Sequence, residues 1–230
     1  MTQLVFELAA PEPPGFANFV PGSNVEAVAA LRALAAGTLA ETGVVIWGAP
    51  GVGKSHLLRA TVAAATAAGR VATYIDAPRD ASAEPPAPGA LVAVDAVDTA
   101  DATAQGRLFT LYNALGPAGG HLVAAASQAP AQLPLRDDLR TRLGYGLVYE
   151  IVALADADKA AALAAYARGR GFRLADDVIA YLLAHGRRDM ASLVATLLAL
   201  DHRSLAMRRP ITVPFLREWL QRGIDLDGER

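Results

Sequence analysis

The chain has no cysteine among its 230 residues, which excludes disulfides and thiolate metal sites. Its four histidines, His56, His121, His185 and His202, show no metal-ligand spacing. Positive charge is also scarce. Lys and Arg number 21 against 23 Asp and Glu, a net charge of −2, so no global basic field favours tight non-specific nucleic-acid binding. The first basic residue is Arg32, so no charged region precedes an apolar stretch as in a secretory leader. No apolar run is long enough to span a bilayer, and no internal repeat is evident. These absences imply a cytoplasmic protein without membrane contact. What is present is apolar: 53% hydrophobic against 19% charged residues, enough for a packed core. The length suits one large domain, or a large one with a small one.

The amino terminus, "MTQLVFEL", alternates, and the Pro/Gly-rich "AAPEPPGF" behind it reads as a tether. Asn24 can cap a helix in "VEAVAALRALAA". Strands are expected in "GVVIWG", "RVATYID", "ALVAVD", "HLVAAAS" and "GLVYEI". Helices are expected in "GKSHLLRATVAAATAAG", closed by Gly69, and in "TAQGRLFTLYNALG". The Pro-rich stretch 77–89 must be loop. Strands alternating with helices imply a parallel sheet covered on both faces. After about residue 153 the texture changes to four helical patterns with no strand between them. The expected architecture is α/β: a P-loop parallel-sheet nucleotide-binding domain over 16–153, then a small all-α lid domain over 154–230, with 1–15 as peptide and tether.

"GAPGVGKS", residues 48–55, satisfies G-x-x-x-x-G-K-[ST], with a strand before it and a helix after it. Gly48, Ala49, Pro50, Gly51, Val52, Gly53, Lys54, Ser55 and the adjacent His56 form the candidate nucleotide loop. Its backbone N–H groups would face phosphates at a helix N-terminus. Lys54 would reach the β- and γ-phosphates of ADP or ATP, and Ser55 would ligate Mg²⁺. Asp95 ends a later strand at the same sheet edge, where a second Mg²⁺ contact is needed. The alternative is a strand-end aspartate capping a turn. Ala96 follows where many ATPases carry a second acid, and an alanine can neither take a proton nor orient water. Asp98 is a weak substitute two residues on. Slow intrinsic hydrolysis is the expectation.

The phosphate loop, the acid strand and the helical appendix together resemble an AAA+ ATPase. Within that class, "NFVPGSNVEAVAAL" and "DDLRTRLGYGLVYEI" resemble segments of the bacterial initiator DnaA, the second being its arginine-finger segment. The segment from "RGFRLADDVIAYLLAHG" through "VPFLREWL" resembles the lid of Hda, a DnaA-related regulator, and "QLVFEL" its sliding-clamp motif. The resemblance covers nearly the whole chain and points to Hda-type regulatory inactivators of DnaA.

It implies that Arg142 is an arginine finger acting on a neighbour's nucleotide. Arg140 is the fallback, and a helix-end arginine pairing with Asp137 or Asp138 is the alternative. It makes Arg188 the lid arginine that touches the phosphates, with Arg187 one residue away. It puts Ser127 at a polar sensor position after a strand, and Phe19 and Val20 beside the adenine or in a packing linker. Gln3, Leu4, Phe6 and Leu8 would bind the β sliding clamp of DNA polymerase III, with an amino-terminal edge strand as the alternative. The implied partners are DnaA and the clamp, with DNA met mainly through the clamp and homo-oligomerisation left open. A helicase-loader or adaptor acting by assembly alone is the second reading. Two departures stand out: Ala96 replaces the family's acid or amide, and Glu7 stands where the motif has a small residue or proline. DnaA continues into a helix-turn-helix DNA-binding domain, whereas this sequence ends at Arg230, so an origin-binding initiator is not expected.

Overall fold

The computed structural model describes residues 13–82, 84 and 87–227, with side chains described as far as residue 220. The expected clamp residues Gln3, Leu4, Phe6 and Leu8 lie outside the described residues.

Five strands form one sheet: β1 (Gly43–Trp47), β2 (Ala72–Ile75), β3 (Leu91–Val94), β4 (His121–Ala126) and β5 (Leu147–Glu150). Their order is β2-β3-β4-β1-β5, and every pairing is parallel. Every residue of β3 and β4 is buried, as near-continuous apolar strands require when helices cover both faces. On one face α1 (Val25–Ala36) and α2 (Lys54–Ala67) pack through Leu31, Leu34, Leu57 and Leu58 against Val44, Ile46 and Val123. On the other, α3 (Ala102–Leu115) and α4 (Asp137–Tyr145) pack through Leu108, Leu115, Leu139 and Leu143 against Val45, Val94 and Leu122. Asp101 caps α3 by accepting from Ala104 N at 2.7 Å, which satisfies one donor that the first turn leaves open.

Beyond the sheet, α5 (Asp156–Gly169), α6 (Asp176–His185), α7 (Met190–Met207) and α8 (Val213–Asp227) form a separate helical domain. Its own core holds Leu163, Leu182, Leu197, Leu200 and Phe215. Among the described residues no helix is long and apolar enough to cross a membrane.

Two local features differ from the sequence reading. Helix α4 stands where the polarity of "DDLRTRLGY" hides the helical period, because only Leu139 and Leu143, one turn apart, are buried. Asn24 does precede α1, but its side chain makes no cap bond. Instead its amide donates to Val152 O at 2.9 Å and accepts from Val152 N at 2.8 Å. Val152 sits just past β5 and carries two backbone groups that need partners, and a carboxamide supplies both complements at once. The clamp joins the start of α1 to the segment leading into the helical domain.

A cap and a clamp respond differently to substitution. Serine replaces asparagine well at a cap but lacks the second group needed to pair with Val152. Asn24→Ser is therefore expected to destabilise as much as Asn24→Ala, by ~2 kcal/mol, lowering Tm by about 4–8 °C. A thermal melt in which Asn24→Ser matches the unmutated protein would restore the cap reading.

Candidate nucleotide site

β1 delivers the chain to the phosphate loop at the carboxyl edge of the sheet, the usual ligand edge of open parallel sheets. Gly48 turns there with φ 149°, and a Cβ on it would stand 2.5 Å from Ile151 O. No other residue type fits that crossing. Gly53 has φ 103°, and a Cβ there would meet the Phe19 ring at 2.8 Å.

The first backbone bond of α2 runs from Leu57 N to Gly53 O. The N–H groups of Lys54, Ser55 and His56 therefore have no acceptor within the helix. Three outward donors at the positive end of a helix are the chemistry that an anion needs. Lys54 Nζ donates to Gly48 O at 2.6 Å and Ala49 O at 2.9 Å, so the ammonium folds back over the loop. Burial lowers the Lys54 pKa, and the carboxylates of Asp95 and Asp98 pull it back up. Both carboxylates thus act on the loop lysine through their charge. Ser55 is exposed at the start of α2.

Asp95 is 8% exposed. Its Oδ1 accepts from Ala96 N at 2.9 Å and its Oδ2 from the Tyr74 hydroxyl at 2.8 Å. Burial, and after it the Asp95 carboxylate, push the Tyr74 phenol pKa up, so the hydroxyl remains a donor. Ala96 adopts φ 47°, ψ 43°, a left-handed conformation that costs a residue with a Cβ roughly 1–2 kcal/mol. Its methyl offers no proton acceptor. The neighbouring acid, Asp98, turns to the end of β4, where its Oδ2 accepts from Ser127 Oγ at 2.7 Å and its Oδ1 from Ser127 N at 3.2 Å. The sensor-position serine and the second acid are therefore one hydrogen-bonded unit.

The helical domain closes over the loop. A cleft of about 350 Å³ is lined by Ala49, Pro50, Gly51, Val52, Lys159 and Arg188, among others. Arg188 Nη2 donates to both oxygens of Asp156, at 2.8 and 2.7 Å, and that guanidinium holds the Asp156 carboxyl below the usual carboxylate range. Lys159 is 6% exposed, with Asp156 3.7 Å away. Arg187, the neighbour in register, points to Asp189 at 3.9 Å and does not line the cleft. Phe19 lies 5.6 Å from the His56 ring, and His56 Nε2 lies 3.0 Å from Gly15 O. Val20 is exposed. A second hollow of about 340 Å³, between α5 and α6, is lined by Ala160, Ala161, Ala164, Ile179 and other residues of those two helices. Asp176 is its one charged group, so it has nothing to hold a phosphate.

Arg142 is at the other end of the sheet. α4 leads into β5, whose Leu147 pairs with Val44 at the start of β1. The Arg142 guanidinium acts on the Tyr112 phenol, and that ring lies against Gly43. β1 has five residues, which separates its start from the phosphate loop by roughly 15 Å. The acids that the alternative reading pairs with Arg142 are engaged elsewhere: Asp137 pairs with Arg140 and Asp138 with Arg136. Arg140 also donates to Leu135 O at 3.4 Å. Among the described residues no group of three His, Cys, Asp or Glu could hold a metal ion by itself.

Sequence reasoning missed Tyr74 on Asp95, Asp156 on Arg188 and the buried Lys159. The spacing of Asp156 and Lys159, three residues apart in a first helical turn, was a readable signal. The Tyr74 contact, across two strands, had none.

Residues 156–220 match the family model described as "Hda, lid domain". The fold is similar to domain III of the Thermotoga maritima replication initiation protein DnaA, with a TM-score of 0.74 and 19% identity over 90% of this chain and 95% of that one. It is similar to AMPPCP-bound DnaA from Aquifex aeolicus, with a TM-score of 0.68 and 19% identity over 83% of this chain and 66% of that one. The Thermotoga maritima RuvB Holliday junction branch migration motor shares the fold more distantly in sequence, with 15% identity and a TM-score of 0.68 over 91% of this chain and 72% of that one. The chain thus joins a helical domain that matches the Hda lid family to a five-stranded parallel-sheet domain, and its fold as a whole is similar to that of DnaA domain III.

Proposed function

We propose that the protein regulates bacterial replication initiation by stimulating hydrolysis of ATP bound to DnaA. The observation that carries this reading is the position of Arg142. It is exposed, has no ion pair or hydrogen bond among the described residues, and stands at the end of β1 remote from its own phosphate loop. Such a cation cannot reach the chain's own nucleotide and suits one held by a neighbour. There it would stabilise charge developing on the γ-phosphoryl group, a role worth about 10³–10⁵ in rate in other phosphoryl-transfer systems.

The chain's own site would hold ADP or ATP through the N–H groups of residues 54–56, Lys54 and Arg188, with Ser55 and Asp95 on Mg²⁺. That nucleotide would order the loop and lid, while Ala96 leaves intrinsic turnover slow. The amino-terminal residues Gln3, Leu4, Phe6 and Leu8 would dock in a groove of the β sliding clamp as an extended peptide, bringing the protein to replicated DNA.

Titration calorimetry with ADP and ATP tests the loop. Lys54→Ala is expected to weaken both by about 100-fold, since it removes a charged donor worth about 1.5–3 kcal/mol together with the group holding Gly48 and Ala49. Unchanged affinity would remove the nucleotide assignment.

Hydrolysis of DnaA-bound ATP, measured with clamp loaded on DNA, tests the finger. Arg142→Ala should abolish the stimulation while ADP binding and clamp binding persist. Stimulation that survives Arg142→Ala but is lost in Arg140→Ala moves the finger to Arg140. A protein that binds DnaA without any stimulation is an assembly adaptor instead.

Clamp capture combined with thermal melts tests the amino terminus. Gln3→Ala and Phe6→Ala/Leu8→Ala should lose capture at unchanged Tm. Retained capture with a lowered Tm would assign these residues to the fold.

A further inference from the structure

Tyr145 is 84% exposed. An aromatic ring left that bare at the end of a helix contributes little to the core beneath it. It stands three residues beyond Arg142 in α4, so the two share one helix face. Both act electrostatically on the Tyr112 phenol beneath them. Val148, 38% exposed, follows on β5, the outermost strand on its side of the sheet. An unpaired cation, a bare aromatic ring and a half-open aliphatic side chain therefore lie along one edge of the molecule.

We propose that Tyr145 is the anchor by which this edge docks on a second protein that presents a bound nucleoside triphosphate at its own edge. This rests on the assignment of Arg142 above and names the residue that brings the guanidinium to its target. Charge selects the occupant. From Arg136 to Tyr145 the ionised side chains are Arg136, Asp137, Asp138, Arg140 and Arg142, and two ion pairs use the first four. One positive charge remains. A single cation flanked by engaged carboxylates suits a point anion on a protein surface and repels a long phosphate backbone, which needs several. Tyrosine and arginine are the side chains that dominate such contacts. The ring supplies area at the cost of only two torsions, and the guanidinium supplies geometry. The two residues divide the work: Tyr145 sets how tightly the partner is held, and Arg142 sets what happens to its nucleotide.

The experiment immobilises DnaA bound to AMPPCP, which cannot be hydrolysed, and measures binding of the full chain as the unmutated protein, Tyr145→Ala, Tyr145→Phe and Arg142→Ala. In parallel, hydrolysis of DnaA-bound ATP is titrated with each. Tyr145→Ala is expected to weaken binding by about tenfold or more and to raise the half-saturating concentration equally, with the plateau rate unchanged. Tyr145→Phe restores both, and Arg142→Ala lowers the plateau instead. Unchanged ADP affinity and Tm in Tyr145→Ala show that the fold is intact. Binding by Tyr145→Ala equal to that of the unmutated protein overturns the proposal, as does a lost plateau at unchanged half-saturation. Tyr145-dependent binding without stimulation by the unmutated protein overturns the finger reading and keeps the anchor. Self-association through Tyr145 with no DnaA binding overturns the choice of partner.

Discussion

The backbone crossing of Gly48 against Ile151 is the constraint on which the site depends. Ile151 N donates to Trp47 O at 2.7 Å, and Gly48 N donates to Ala126 O at 3.3 Å. The carboxyl ends of β1, β4 and β5 are thereby tied within one turn of the phosphate loop. The next residue, Val152, is gripped on both backbone groups by Asn24. Within a few residues, then, the nucleotide loop, the sensor strand, the amino-terminal linker and the entry to the lid meet. A phosphate that reordered the loop would act on backbone bonded to the lid's entry strand, and such coupling would need no long pathway.

The lid adds a second tie of a different strength. Asp189 caps α7 by accepting from Ser192 N at 2.8 Å, and its Cβ lies against Gly51, so the helix after the linker begins at the loop. Arg188 just before it is held by Asp156, but the two side chains are 69% and 56% exposed. So exposed a pair contributes little to stability. On the proposed reading, exchange of Arg188 from Asp156 to a phosphate would cost little, with Lys159 left beside Asp156 to balance the carboxylate. The covalent and backbone ties position the lid, and the exposed ion pair leaves its arginine available.

What was legible in the sequence follows from chain separation. The phosphate loop is contiguous, so its residue types and spacing carry its whole chemistry. The inner strands β1, β3 and β4 were readable because burial on both faces demands apolar runs. Contacts between distant segments were not. Asn24 looked like a helix cap because its local context is that of a cap, yet a backbone 128 positions away claims the side chain. Asp98 looked uncommitted because Ser127, 29 residues on, supplies its partners. Helix α4 was obscured because four of its nine residues are charged, and its ion pairs with Arg140 and Arg136 spend the acids that would have quenched Arg142.

That last arrangement also explains how the site tolerates Ala96. A phosphate loop that must turn over needs a group to orient water, and the turn after β3 offers a methyl in a strained left-handed conformation. Asp98 could approach from the same turn, but its carboxylate is satisfied by both donors of Ser127, and freeing it would break two bonds at once. Among the described residues nothing comparable restrains Arg142. The free cation of this fold therefore lies about one strand's length from its own phosphate loop, on an edge with an exposed aromatic beside it. On the proposed reading, a nucleotide bound in the loop would shape that body, and the chemistry the body could promote would lie at another protein's phosphate.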